Sequence, residues 1–479
     1  MREVKPLQKR IGQTDIADIK ISTRSRDDVP DILRGLQYLY TNDVLQEQLF
    51  LSLEGLLSDN QKNLGRQGMD LWRVFVLATL RVNLNWDYDR LQHMVNEHRT
   101  IRQMLGHGSF DDDYEYSLQT LKDNVHMLTP EILDEINQAI VNAGHGLVKK
   151  KDSILRGRCD SFVVETDVHF PTDISLLFDA LRKPIQLISN ICRLEGMSDW
   201  RQSTYNIKQI KRAYRKAQQS TRGNSKDKED KIIQAHFDYI ELARAYLFKL
   251  EKTLPKISNH ILCAEIMPYL QDVRRQIDQI DRRVLNREKI PSEEKVYSIF
   301  ERHTEWNNKG KAGGAIELGV KVCLVEDQYQ FLLHHRVMYK ECDSGIAVAM
   351  TQSVKDRYNN FNACSFDKGF DSAKNQAELK KIIDTVIMPR KGKLSSMRYN
   401  EEHEESFIKE RHQHSAVESA INCIEHHGLD KCPDKGTMGF DRYVAIAVVA
   451  KNIQRIGAIL RAKSRAQEER RYRKLQKAA

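Results

Sequence analysis

The sequence predicts an α/β chain, α+β overall, in which a mixed sheet follows a helical N-terminal domain and is interrupted after its first strand by a helical, coiled-coil-like insertion. Three observations predict it. Apolar residues recur at helical spacing between 26 and 148, with Ile32, Leu36 and Leu39 on one face and Leu71, Val74, Phe75, Ala78 and Val82 on another. Runs of β-branched and aromatic residues at 159–166, 317–325, 329–334, 361–367 and 385–388 read as strands. Between the first and second of these, Ile266, Leu270, Val273, Ile277, Ile280 and Val284 step alternately by four and three, the spacing of a coiled-coil seam.

A chain of 479 residues with 40% hydrophobic and 30% charged side chains can bury two or three cores without disulfides or structural metal. Its net charge of +9 suits a polyanionic partner. The eight cysteines are scattered singly with no CxxC pair, so a reduced cytoplasmic protein is expected. No apolar core follows the Met1–Lys5 start, and the apolar run at 443–450 is too short to span a bilayer. Neither a secretory signal nor a membrane partner is therefore expected.

In chain order, residues 1–25 are polar and of mixed charge, and read as a flexible arm. Residues 26–148 form a helical DNA-binding domain, broken at 65–70 and restarted by a capped turn at 85–91. Such short helices suit a helix-turn-helix reader and equally a bundle that only packs. Residues 149–184 open the sheet domain: Lys149–Lys151 precede the first strand, and Thr172 or Asp173 can cap a helix that runs through Leu181. The insertion occupies 185–300, where Ile233, Phe237, Ile240, Leu247 and Leu250 and the later seam suggest an antiparallel helical hairpin, with a solvated stretch at 212–231. Residues 301–465 complete the sheet domain. They contain a hairpin turning at Glu326–Gln328, a helix at 344–358, a strand ending on Asp367, a short helix from Ala373, a strand at 385–388 and helices at 405–427 and 440–465. A basic tail, 466–479, follows.

Strand, helical insert, hairpin, helix, strand, helix, strand, helix is the element order of a ribonuclease-H-like domain with an insertion after its first strand. Such a fold holds two divalent cations with one acid on the first strand, one ending the fourth and one on a late helix. Asp160, Asp367 and Glu418 are the candidates. Asp367 also reads as a plain turn aspartate before Gly369, and Asp167 and Asp173 rival Asp160, which alone lies inside the strand pattern. Three carboxylates from separate elements suit Mg²⁺, which prefers an octahedral shell of oxygens. Two ions about 3.5–4 Å apart activate the attacking oxygen and stabilise the leaving one.

The chain resembles DDE-type bacterial insertion-sequence transposases. The resemblance rests on Asp160–Glu165 with His169–Asp173, on Glu317-Leu318-Gly319, on Asp367-Lys368-Gly369-Phe370 with Asn375, on Val417-Glu418 with Gly428-Leu429, and on Ala450–Gly457; the stretch at 65–106 also looks like the family's N-terminal region. It covers most of 65–180 and 300–460. It implies a metal triad of Asp160, Asp367 and Glu418, Mg²⁺ as the ion with Mn²⁺ as a substitute, and double-stranded DNA, the element ends and target, as partner to a homodimer. Water would attack at the element end, and the freed 3′ hydroxyl would attack target DNA. Two departures from the family pattern are Phe162, where many relatives have Thr, and His414, where they have a basic residue, with Arg411 one turn back. The alternatives are a metal-dependent nuclease of the same fold and a catalytically inactive, transposase-derived DNA-binding protein.

Other DNA contacts are expected from side chains that stack on bases or neutralise phosphates: Trp306 with Lys309 and Lys311, Lys368 beside Asp367, Arg411 and His414 on the late helix, and Lys451 and Arg455 in the basic C-terminal run. The alternatives are a tryptophan-anchored loop and a solvated helix end. His412, His414, Cys423, His426, His427 and Cys432 cluster in sequence, but their spacing matches no common zinc pattern.

Overall fold

Alternation sets the first strand, β1 (Leu155–Thr166): Leu155, Gly157 and Cys159 are buried on one face, while on the other Arg156 is exposed and Arg158 half-buried. Those two arginines are why β1 starts earlier than its apolar run suggests. The structure, a computed structural model, describes residues 2–5, 12–57, 68–108, 113–148, 153–222, 226–308 and 316–478. It divides into Met1–Thr166 with Gly319–Ala479, and Asp167–Leu318.

In the first unit, β1 pairs antiparallel with β3 (Ile316–Asp327), from Glu165 opposite Gly319 to Gly157 opposite Asp327. On its other side β1 pairs in parallel with β5 (Phe361–Phe366), with Cys159 opposite Phe366. β4 (Leu332–Met338) lies antiparallel on β3, and β6 (Thr385–Ile387) lies parallel on β5. The two-residue β7 (Lys431–Cys432) meets the far end of β1. A seventh strand, β2 (Glu305–Asn308), belongs to the second unit and pairs with β3, which begins there. β3 is buried from Val322 to Asp327, as a central strand must be. The hairpin turn sits later than expected because the Asp327 carboxylate accepts the N–H groups of Tyr329 and Phe331, at 2.8 and 2.9 Å, and holds them out of the ladder.

The described parts of the stretch read as a flexible arm make contacts with the rest of the fold. The carbonyls of Glu3 and Val4 accept the N–H groups of Leu71 and Trp72, donors that have no partner within their own helix, and Ile16 and Ile19 are buried. Nor do the N-terminal helices form a domain of their own. The helices Val29–Thr41, Leu71–Asn83 and Pro130–Val148 pack on the long Gly436–Ala478 helix, within a core continuous with the sheet. In Leu71–Asn83 every side chain but Arg73 is buried, so this helix has no face left to read DNA.

The basic tail is the last part of the Gly436–Ala478 helix. Arg461, Lys463 and Arg465 are bound to Asp31 and to the carbonyls of Leu147 and Thr23, leaving Arg470, Arg471, Arg473 and Lys474 exposed. This helix is long and apolar enough to cross a membrane, but 78% of its most apolar window is buried within the protein. It meets Val29–Thr41 backbone to backbone: a Cβ on Gly457 would lie 1.8 Å from the Asp31 carbonyl oxygen, and one on Gly35 2.2 Å from that of Ile453. Gly457→Val should therefore push the two helices apart and cost about 1–3 kcal/mol or more. Urea unfolding would show this as a lower midpoint; an unchanged midpoint would contradict the close approach.

The second unit has its own core and four main helices, Asp173–Leu194, Ser203–Ser220, Lys228–Thr253 and His260–Ile280. The insertion thus starts before residue 185. Thr172 and Ser175 form a reciprocal cap, and the first helix runs on through Pro184 because Ile185, Ile188 and Ile191 are buried beyond it. The seam beginning at Ile266 packs chiefly on this helix, so the insertion is not the two-helix hairpin expected. Of the stretch expected to be solvated, residues 212–220 end Ser203–Ser220 and residues 228–231 open Lys228–Thr253.

Candidate functional site

Two periodicities build the site. Arg156, Arg158 and Asp160 occupy alternate positions on β1, and Glu410, His414 and Glu418 recur every four residues on the Glu405–Ile424 helix, so each set shares one face. The helix is held there by its buried residues Phe407, Val417, Ala420, Ile421 and Ile424. In the lowest layer the Arg156 guanidinium pairs with Glu410. In the next, Arg158 stands opposite Ser365 of β5, whose hydroxyl hydrogen-bonds His414 Nδ1 at 2.9 Å. Two residues further along each strand, and one turn further along the helix, come Asp160, Asp367 and Glu418.

Their mutual charge is visible at Asp160. Burial first, then the charges of Asp367, Asp343 and Glu418, push its carboxyl up to about 6, although Asp160 Oδ1 accepts the Ser161 N–H at 2.7 Å. Asp367 and Glu418 are exposed and Asp160 is half-buried. Asp367 also caps the Lys368–Phe370 turn, accepting the Gly369 N–H at 3.4 Å. The turn role is therefore realised alongside the position beside Asp160.

Asp343 is a fourth carboxylate that the sequence reading missed. It opens the Asp343–Arg357 helix, accepts the Ser161 hydroxyl at 2.7 Å and pairs with Lys321 at 3.2 Å. A Cβ on Gly369 would lie 3.1 Å from Asp343 Oδ2, so the turn after Asp367 passes directly over this group. An acid and glycine opening a helix, Asp343-Ser344-Gly345, was the available signal; the strand pairing that brings Ser161 and Lys321 to it was not readable.

The rivals to Asp160 lie in the second unit: Asp173 begins the first helix there and pairs with Arg283. Lys368 and Arg411 are exposed. His414 is half-buried, and burial pushes its imidazole below the usual range, so it is poorly suited to meet phosphate as a cation; its Nε2 is buried without a hydrogen-bond partner. Lys451 is half-buried and donates to Cys423 Sγ, and Arg455 Nε donates to the Tyr329 carbonyl at 2.9 Å, so both are committed within the fold. Trp306, in the second unit, sits 5.5 Å from Tyr297 and 5.8 Å from Phe170 between ring centroids, on a cavity of about 660 Å³. Lys309 and Lys311 lie outside the described residues.

The donor set at Asp160, Asp367 and Glu418 is all carboxylate oxygen, which suits a hard divalent cation, and burial together with the neighbouring carboxylates raises the Asp160 carboxyl. Among the described residues, however, no three His, Cys, Asp or Glu side chains are drawn into one coordination sphere, and the histidines and cysteines near Glu418 assemble no zinc set.

The repulsion has a sign that unfolding can test. Because the folded pKa of Asp160 lies above that of a free aspartate, its cost to stability is full above about pH 6 and fades as pH falls toward about 4. Asp160→Asn should stabilise the fold at pH 7.5 by on the order of 1–2 kcal/mol, with the gain gone at pH 4. Equal midpoints for the two proteins at pH 7.5 would show that neither burial nor the neighbouring carboxylates raise the Asp160 carboxyl. Comparison with protein-family models, with curated proteins and with solved structures finds no match to this chain.

Proposed function

We propose that this chain is a DNA transposase with a ribonuclease-H-like core, cutting at the terminal inverted repeats of a mobile element and joining the freed ends to target DNA. The observation that carries the reading is that Asp367 and Glu418, from two other elements, stand near enough to Asp160 for their charges to raise its carboxyl. Further support comes from the sheet, whose parallel β1, β5 and β6 and antiparallel β3 and β4 match the order that the fold requires.

In this reading Asp160, Asp367 and Glu418 would hold Mg²⁺, or Mn²⁺ in its place. The ions supply charge neutralisation at phosphorus and an activated attacking oxygen. The chain's own residues position the rest. Lys321 and Ser161 fix Asp343 behind Asp160, and Gly369 lets the turn carrying Lys368 pass close to it. Exposed Lys368 and Arg411 would take phosphate oxygens of the DNA. Two element ends must be brought together, so a homodimer on DNA belongs to the proposal.

A strand-transfer assay with DNA carrying the element's ends, target DNA and Mg²⁺ tests it. Joined products support transposition. Cut but unjoined ends favour a nuclease of the same fold, and binding without cutting favours a DNA-binding derivative.

A further inference from the structure

Beyond the carboxylate layer, the Glu405–Ile424 helix carries Cys423 near its end, facing two groups from other segments. Lys451, on the Gly436–Ala478 helix, directs its ammonium at the sulfur, with Nζ 2.9 Å from Sγ. That sulfur is its sole hydrogen-bond partner among the described residues, and no carboxylate lies within ion-pair distance of Nζ. His427, in the turn that follows, also acts on the sulfur and favours its thiolate, while its Nδ1 is 2.6 Å from the Asn83 carbonyl oxygen. Behind the imidazole, Gln454 Nε2 lies 3.4 Å from His427 Nε2 and donates to Asp28 Oδ1 at 3.1 Å. Gln454 is 8% exposed and its Oε1 has no hydrogen-bond partner among the described residues. Cys423 and His427 are only half-buried, so a small reagent has access.

An ammonium and an imidazole at one sulfur are the surroundings that stabilise a thiolate, although the Lys451 charge also reaches the Glu326 carboxylate. We propose that Cys423 is a reactive thiolate and a modification site, at which a peroxide oxidises the sulfur to sulfenic acid. The sulfur attacks one peroxide oxygen, an S–O bond forms and the O–O bond breaks. The departing oxygen takes a proton from the His427 imidazolium and, when the peroxide is hydrogen peroxide, leaves as water. Sulfur loses two electrons and the peroxide gains them, and the attacked oxygen keeps its hydrogen, so the product is the sulfenic acid. The charged groups facing the site favour this: Lys451 and His427 lower the thiol, to about 7, and Cys423 with Asp28 supports the protonated imidazole.

The remaining cysteines provide internal references. Cys159, Cys192, Cys323, Cys364 and Cys432 are buried, Cys263 is half-buried and Cys342 is exposed. The test uses the reduced full chain, iodoacetamide alkylation from pH 5 to 10, and mass spectrometry to follow each cysteine. Alkylation of Cys423 is expected to reach half its plateau near pH 7. Lys451→Met should slow it about fivefold at pH 7 and move the midpoint upward, and Lys451→Arg should restore it. After brief exposure to hydrogen peroxide, dimedone should label Cys423. A wild-type midpoint at or above about pH 8.5, the value of a free thiol, would overturn the proposal even if the lysine variants failed to fold. So would dimedone labelling that bypasses Cys423.

Discussion

Asp367→Asn is expected to abolish DNA cleavage while leaving binding to the element end largely intact. The amide keeps the size of the side chain and can still accept the Gly369 N–H that the carboxylate holds, so the turn at Lys368–Phe370 should survive. What is lost is a charge in the layer shared with Asp160 and Glu418. If that layer carries the metal, several kcal/mol of transition-state stabilisation go with it. At about 1.4 kcal/mol per tenfold, single-turnover cleavage should fall by about a thousandfold or more. Fluorescence anisotropy with the same DNA should report a nearly unchanged affinity. A variant that cuts at the wild-type rate would remove Asp367 from the chemistry and, with it, the basis of the transposase reading.

The largest expected loss of stability comes from Asp434→Ala. The Asp434 carboxylate, buried after β7, accepts Arg81 at 2.7 Å and Arg442 at 3.1 Å. Arg81 is itself buried between the rings of Tyr88 and Tyr443, 4.1 and 5.5 Å from their centroids, and its Nε and Nη1 have no hydrogen-bond partner. Removing the carboxylate leaves a buried cation with nothing to neutralise it, a change that costs about 3–5 kcal/mol. Arg81→Met combined with Asp434→Leu should recover much of that loss, because an apolar pair pays no desolvation cost. Arg81 and Arg442 also hold the Asp434 carboxyl below its usual range. The pair's contribution is therefore present above about pH 4 and is lost as pH falls through the folded value. Urea unfolding of the three proteins at pH 7 and pH 3 would separate these effects; an Asp434→Ala midpoint within error of wild type would refute them.

Much of the candidate site was legible because it depends on short-range periodicity. A strand advances about 6.6 Å in two residues and a helix about 6 Å in four. Arg156, Arg158 and Asp160 therefore keep step with Glu410, His414 and Glu418 over three layers, although only the acids were legible, since Arg156 and Arg158 lie before the apolar run that marks the strand. Asp343 was not legible, since its role arises from the pairing that sets Ser161 and Lys321 beside it. The merging of the N-terminal helices with the sheet was hidden for a related reason. Gly35 and Gly457 look like helix-weakening residues until the two helices are seen to touch. The first helix of the insertion runs past Leu181 and through Pro184, because burial of the isoleucines after the proline outweighs its cost to the helix. Lys451 and Arg455 have the composition of a DNA contact, but their amphipathic stems let them be drawn into the fold.

The antiparallel pairing of β1 with β3 bears on how fast this chain can fold. Glu165 and Gly319 face each other at one end of that ladder, so all of Asp167–Leu318 is spanned by a single strand-to-strand connection. Closing so long a stretch while it is unstructured is entropically slow. The four helices within it are local structures with a core of their own, and their early collapse would shorten the distance the two strands must search. Variants that weaken that core, such as Ile188→Ala or Tyr239→Ala, would then delay formation of a sheet they do not belong to. The Asp160 end of the site would acquire its neighbours only after the insertion had condensed.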